Sequence, residues 1–266
     1  MRSLVDRPAP GEITAEFTDG FETSRLDPGR WLAAYLPQWS SRESSAPTYA
    51  LDDGRLVLTI APDQPPWCPE WDGAVRVSSL QTGCFAGRLG SDVGQHRFAP
   101  EVVVREAQPE LRLYTPWRGR IELRAAADLG RDTMAALWMI GFEDRPGDSG
   151  EICVAEIFGR DVAPGRVAVG MGVHPHHDPR LRDDFARVEL AIDPSEPHDY
   201  AMDWTADGIA WAVDGRTVRT VDQSPDYPMQ LMLGVYAFRA LAEDEPPPRF
   251  VVDHVRGFAP TSGRPA

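Results

Sequence analysis

Two Asp-Gly pairs, Asp207-Gly208 and Asp214-Gly215, divide residues 199–221 into three short runs of alternating apolar and polar or small side chains. Tyr200, Met202 and Trp204 mark the first run, Ile209, Trp211 and Val213 the second, and Val218 and Val221 the third. An Asp-Gly pair supplies the positive-φ residues that a tight β-turn needs, so this stretch predicts a three-stranded meander. The pattern extends along the chain. Ile121, Leu123, Ala125 and Ala127 alternate with Arg120, Glu122 and Arg124, as in a half-exposed strand. Met134 to Ile140 is apolar almost without break, as a central strand is, and further strands are expected at 167–173, 188–192 and 250–258. Many short strands with no helical period between them predict an all-β sandwich or barrel.

The 266 residues, 42% of them hydrophobic, are enough to bury a full core. No linker or repeat splits them, so one domain is expected over 1–266, with an ordered core over about 11–259. A net charge of −14 argues against nucleic acid and against anionic membrane surfaces as partners. No segment approaches the ~18 apolar residues of a membrane span. Residues 1–20 carry no apolar core of a secretory signal, which predicts a cytoplasmic protein or a chain without its leader. All 27 basic residues are Arg, and Asn is absent. Schiff-base chemistry and a Walker phosphate loop, both of which need Lys, are thereby excluded, as is N-glycosylation.

Cys68, Cys84 and Cys153 show no metal-ligand spacing and read as free thiols. The run His174-Pro-His176-His177-Asp178 fits no tetrahedral site, so no metal is expected there, and His176 and His177 read as loop residues. Gly-x-Ser-x-Gly is absent, which argues against a serine hydrolase elbow. The chemical signal lies instead in Glu151-Ile-Cys-Val-Ala-Glu156-Ile-Phe, an apolar run bounded by Gly150 and Gly159. Carboxylates are costly to bury, so two of them in such a strand need partners or a task. In a regular strand Glu151 and Glu156 face opposite ways. One extra residue, a bulge at Val154–Ala155, restores them to one face. Their Cα atoms then lie about 13 Å apart at strand rise. Leaning side chains can close the carboxyl gap to roughly 5 Å, the separation used to cleave glycosidic bonds with retention.

In order and spacing the chain resembles glycoside hydrolase family 16 over nearly its whole length. The family's bulged Glu-x-Asp-x-x-Glu signature corresponds to Glu151-Ile-Cys153-Val-Ala-Glu156. Phe17 to Trp31, with Asp19, Phe21, Leu26 and Asp27, is similar to its opening motif, and Gly54-Arg-Leu-Val-Leu to its next strand. Gly119-Arg-Ile-Glu-Leu-Arg-Ala, Ala136-Leu-Trp-Met-Ile, the 198–215 hairpin and Val252-Asp-His-Val-Arg follow in the family's order. The resemblance implies a β-jelly-roll sandwich of two antiparallel sheets with an open concave cleft. It implies an endo-acting retaining β-glycosidase acting on a β-glucan or β-galactan polysaccharide, monomeric and without a catalytic cofactor.

By the same resemblance Glu151 is the nucleophile, Glu156 the general acid/base, and Cys153 stands where the family has Asp. Trp138, His174 and Trp117 are the expected sugar contacts. Trp67 and Trp71, in the Pro-rich loop 62–72, are expected to be less buried than core tryptophans, whereas Trp31, Trp204 and Trp211 are expected in the core. The family's structural calcium is represented by Asp253, although Gly20 occupies a position where an acidic residue is common. Cys153 and the sequence Met134-Ala-Ala-Leu-Trp138, which lacks one family Trp, depart from the pattern. They leave a carbohydrate-binding module or a transglycosylase as the alternatives.

Overall fold

The structure, a computed structural model, describes residues 15–260. Its strands run in order β1 (Ala15–Asp19), β2 (Thr48–Asp52), β3 (Arg55–Thr59), β4 (Arg76–Gln81), β5 (Gly83–Cys84) and β6 (Leu111–Arg112). Then come β7 (Gly119–Asp128), β8 (Thr133–Gly141), β9 (Glu151–Ala163), β10 (Arg166–His174) and β11 (Asp184–Leu190). The last are β12 (His198–Trp204), β13 (Ile209–Val213), β14 (Arg216–Val221), β15 (Met229–Ala237) and β16 (Arg249–Phe258). A single helical turn, α1 (Pro69–Asp72), falls in the Pro-rich loop.

The meander forms as its turns dictate. Asp214 and Gly215 take φ of 49° and 75°, the two left-handed residues that let a two-residue turn follow the strand twist. An eight-stranded sheet is ordered β14-β13-β12-β7-β16-β3-β2, with β1 paired to β16. A six-stranded sheet is ordered β11-β10-β9-β8-β15-β4. Every pairing within the two is antiparallel, giving the expected jelly-roll sandwich.

Inward side chains of both sheets make the main core: Leu123 and Trp211 from one, and Leu137, Ile152, Val169 and Leu233 from the other. Trp31, Trp204 and Trp211 are at most 2% exposed, as expected. Strand β11 starts four residues before the predicted 188, because Asp184 and Arg187 interrupt the apolar alternation along this half-exposed edge strand.

The other face of the six-stranded sheet is not uniformly open. Ala136, Trp138 and Ile140 of β8, Met232 and Tyr236 of β15 and Val77 of β4 form a second apolar cluster there. Tyr35, Leu36, Trp39, Trp67, Val102 and Val104 arrive from loops to cover it. A fully buried side chain of this size contributes about 1.5–3 kcal/mol, which holds these loops down. Trp67 is 1% exposed, correcting the expectation for this loop: its indole donates to Asp72 at 2.6 Å and its ring meets Tyr35 edge-on. Trp71 is half-buried beneath Arg105. The cover leaves β9, β10 and β11 to form the accessible part of this face.

One side-chain contact joins the two sheets at β9. Trp211 of β13, fully buried, donates its indole N–H to the Cys153 carbonyl of β9 at 2.9 Å. Replacing Trp211 by Phe strands that buried carbonyl, at a cost of about 1–3 kcal/mol. The melting temperature should fall by roughly 2–4 °C for each kcal/mol lost; an unchanged melt would show that the contact carries no weight.

Candidate active site

Strand β9 skips register where the bulge is expected. Against β8, Ala155 pairs with Leu137 and Cys153 with Trp138, so Val154 is the extra residue. Against β10 the skip recurs between Gly170 and Gly172. Ile152, Val154, Ala155 and Ile157 therefore go to the core, while Glu151, Cys153 and Glu156 share the other face. The Cys153 thiol donates to Glu151 Oε1 at 3.1 Å and also faces the Glu156 carboxyl. Gly170, opposite Glu156, leaves room for Phe185: a Cβ there would lie 2.5 Å from the Phe185 ring.

Two histidines from outside the sheet close on Glu151. His176 Nε2 lies 2.8 Å from Glu151 Oε2, with the N–H donating. His96 Nδ1 stands 3.9 Å from the same oxygen, and the two imidazoles meet edge-on at 4.9 Å. Both residues have left-handed backbones, φ 51° for His96 and 45° for His176, a strained conformation for a residue with a side chain. The His96 N–H donates to Glu143 at 2.5 Å, which helps hold that conformation. His176 is thus more than a loop residue. Neither histidine lies in a periodic segment; the Pro175 between His174 and His176, which breaks the strand, is the one sequence feature that bears on the turn back towards β9.

The other expected site residues take separate places. His174 pairs with Glu151 in register, bonds Asp183 at 2.7 Å and stacks on Phe185 at 4.8 Å. Trp138 lies on the site face beside His96, but is only 5% exposed and donates to the Tyr236 hydroxyl at 2.9 Å. Trp117, just before β7 of the eight-stranded sheet, is 53% exposed and donates to Asp226; its hydrogen-bond and ring partners do not include Glu151 or Glu156. Asp253 accepts from Arg124 at 3.1 Å, so that carboxylate is already paired with a guanidinium. All three cysteines are free, as expected, and all are buried.

Residues 114–254 match the family described as Glycosyl hydrolases family 16. The chain belongs to that family. Among solved structures it is similar to the GlcNAcα1-4Gal releasing endo-β-galactosidase from Clostridium perfringens, with 28% identity and a TM-score of 0.83. That likeness covers 98% of this chain and 66% of the other. The laminarinase from Flavobacterium sp. UMI-01 shares the fold at 17% identity and a TM-score of 0.61, over 92% of this chain and all of that one. A 54-residue stretch, 18% of this chain, is 38% identical to the Crh-like protein CRH11 of Candida albicans and spans 12% of that protein.

Within this family 16 chain the two glutamates are held in opposite protonation states. Burial pushes the Glu156 carboxyl up to about 7, and the Glu151 charge beside it adds to the rise. Burial acts on Glu151 in the same direction, but the His176 hydrogen bond, the nearby histidines and the Cys153 thiol outweigh it and hold Glu151 below its ordinary range. Burial and both carboxylates keep the Cys153 thiol protonated. Around neutral pH the pair therefore consists of an ionised Glu151 and a Glu156 poised to give or take a proton.

The Glu156 shift has a sign that can be measured. A carboxyl whose folded value lies above its unfolded one stabilises the fold below the unfolded value, and that contribution is lost as pH rises through the folded value of about 7. Glu156→Gln should accordingly melt higher than the parent at pH 8, by roughly 2–4 °C for each kcal/mol recovered, and close to it at pH 4.5. An equal difference at both pH values would refute the shift.

Proposed function

We propose that this chain is a retaining glycoside hydrolase that cleaves an internal β-glycosidic bond in a glycan, with Glu151 as nucleophile and Glu156 as acid/base. The observation that carries the reading is the bulge, which gives two carboxyls one face and different protonation. Glu156 donates its proton to the glycosidic oxygen as Glu151 attacks the anomeric carbon, and the leaving sugar departs. A glycosyl ester on Glu151 results. Glu156, now ionised, takes a proton from water as that water attacks the same carbon, freeing the sugar with its configuration retained and restoring both carboxyls.

Cys153 acts as a neutral spacer in this scheme. The family Asp would add a third carboxyl, whereas the thiol gives one weak hydrogen bond to Glu151. His176 supplies the stronger donor. Sugar rings lie along the groove over β9 to β11, with His174 and the small exposed part of Trp138 nearest the cleavage point. The endo-β-galactosidase likeness, at 28% identity over 98% of this chain, makes a β-galactosyl linkage in a glycan the first substrate to test, ahead of β-glucan. Transglycosylation differs only in that a sugar hydroxyl replaces water in the second step.

A panel of β-galactose-containing glycans and β-glucans, followed by mass spectrometry and by NMR of the first-formed anomer, tests the proposal. Released sugar of retained configuration is expected. Glu151→Gln should lower turnover by at least about 10²-fold while substrate still binds. Binding without release by the parent chain across the panel would favour a carbohydrate-binding module instead.

The pH profile should be a bell. Activity falls above about pH 7, where Glu156 loses its proton, and falls in acid once Glu151 gains one. His176→Gln removes the donor that holds Glu151 ionised, so the acid limb should move to higher pH while the basic limb stays near 7. A profile unchanged by this substitution would remove His176 from the scheme.

A further inference from the structure

We propose that His96, His176 and Glu151 form a binding site for a zinc-class divalent transition metal, and that occupation of this site switches the glycosidase off. The three donor atoms lie within 4.8 Å of one another and come from separate parts of the chain: the loop after β5, the turn after β10 and the start of β9. Zinc bonds to nitrogen and oxygen of about 2.0–2.2 Å place tetrahedral ligands roughly 3.3 Å apart. Here the Glu151 oxygen is 2.8 Å from His176 Nε2 and 3.9 Å from His96 Nδ1, each about half an ångström from that spacing, and the two histidine nitrogens lie within 4.8 Å of each other.

The donor chemistry agrees with the geometry. Two imidazoles and one carboxylate suit zinc and its neighbours and leave a fourth position for water. A cavity of about 440 Å³ lined by His96, Arg97, Phe98, Ala99, His176 and His177 opens beside the two histidines and gives solvent and ions a route to them. The metal takes the place of the His176 Nε2 proton, which moves to Nδ1 or to solvent. Both rings already stand beside the same Glu151 oxygen and meet edge-on at 4.9 Å. The inhibitory consequence rests on Glu151 being the nucleophile: a carboxylate oxygen bound to metal cannot attack an anomeric carbon.

The test uses tag-free full-length chain stripped with EDTA. Calorimetric titration with zinc should show one saturable site, reversed by EDTA, and both His96→Gln and His176→Gln should weaken it by at least about tenfold. Cobalt should give the visible bands of a tetrahedral nitrogen and oxygen site. No saturable binding, or undiminished binding in both variants, would overturn the proposal. So would a strong near-ultraviolet thiolate band, which would place the metal on the neighbouring set Glu151, Cys153 and His174. Binding is read without substrate, so failure of the metal site and failure of the glycosidase reading are told apart. Zinc that binds at this site and leaves sugar release by the active parent unaffected would overturn the inhibitory part.

Discussion

Side chains on a strand alternate faces with a period of two, so residues five apart are normally on opposite sides of the sheet. The extra residue Val154 in β9 breaks that count, and the remaining chemistry depends on it. Without it Glu156 would enter the sandwich among Ile152, Val169 and Leu233, where a carboxylate has no partner. With it, both glutamates and Cys153 occupy one groove. Trp211 ties the backbone at the bulge to the opposite sheet, so the register of β9 is anchored through the core as well as by its neighbours.

The groove then separates the two carboxyls by environment. Burial alone would raise both, and each charge repels the other. Hydrogen-bond donors gather at Glu151: the His176 ring at one oxygen and the Cys153 thiol at the other. Glu156 meets mainly burial and the Glu151 charge, with weaker opposition from the thiol and Arg187, so it retains its proton to about pH 7. A thiol at position 153 keeps negative charge out of an already crowded place, and it shifts the task of orienting Glu151 onto a histidine outside the sheet.

Much of this arrangement was legible in the residues. The Asp-Gly turns located β12, β13 and β14, and the apolar break-free run located β8, because turn chemistry and side-chain period are local properties. The bulge was legible too, since two carboxylates in one buried strand are hard to reconcile otherwise. His96 and His176 were not. Each sits in a loop with no period, and its closeness to Glu151 arises from contacts 55 and 25 positions away along the chain. Trp67 was misread for the same reason: nothing in a Pro-rich loop indicates that it folds back over Tyr35.

Family membership, an all-β sandwich and the identity of the paired glutamates could be read from the chain itself, because pattern, turns and motif spacing are written within a few residues of each other. Tertiary structure alone decided which half of the site face the loops would cover, how the two histidines would approach Glu151, and hence which carboxyl keeps its proton. Burial and proximity are properties of the packed molecule, and they set electrostatic energies that no local stretch of sequence contains.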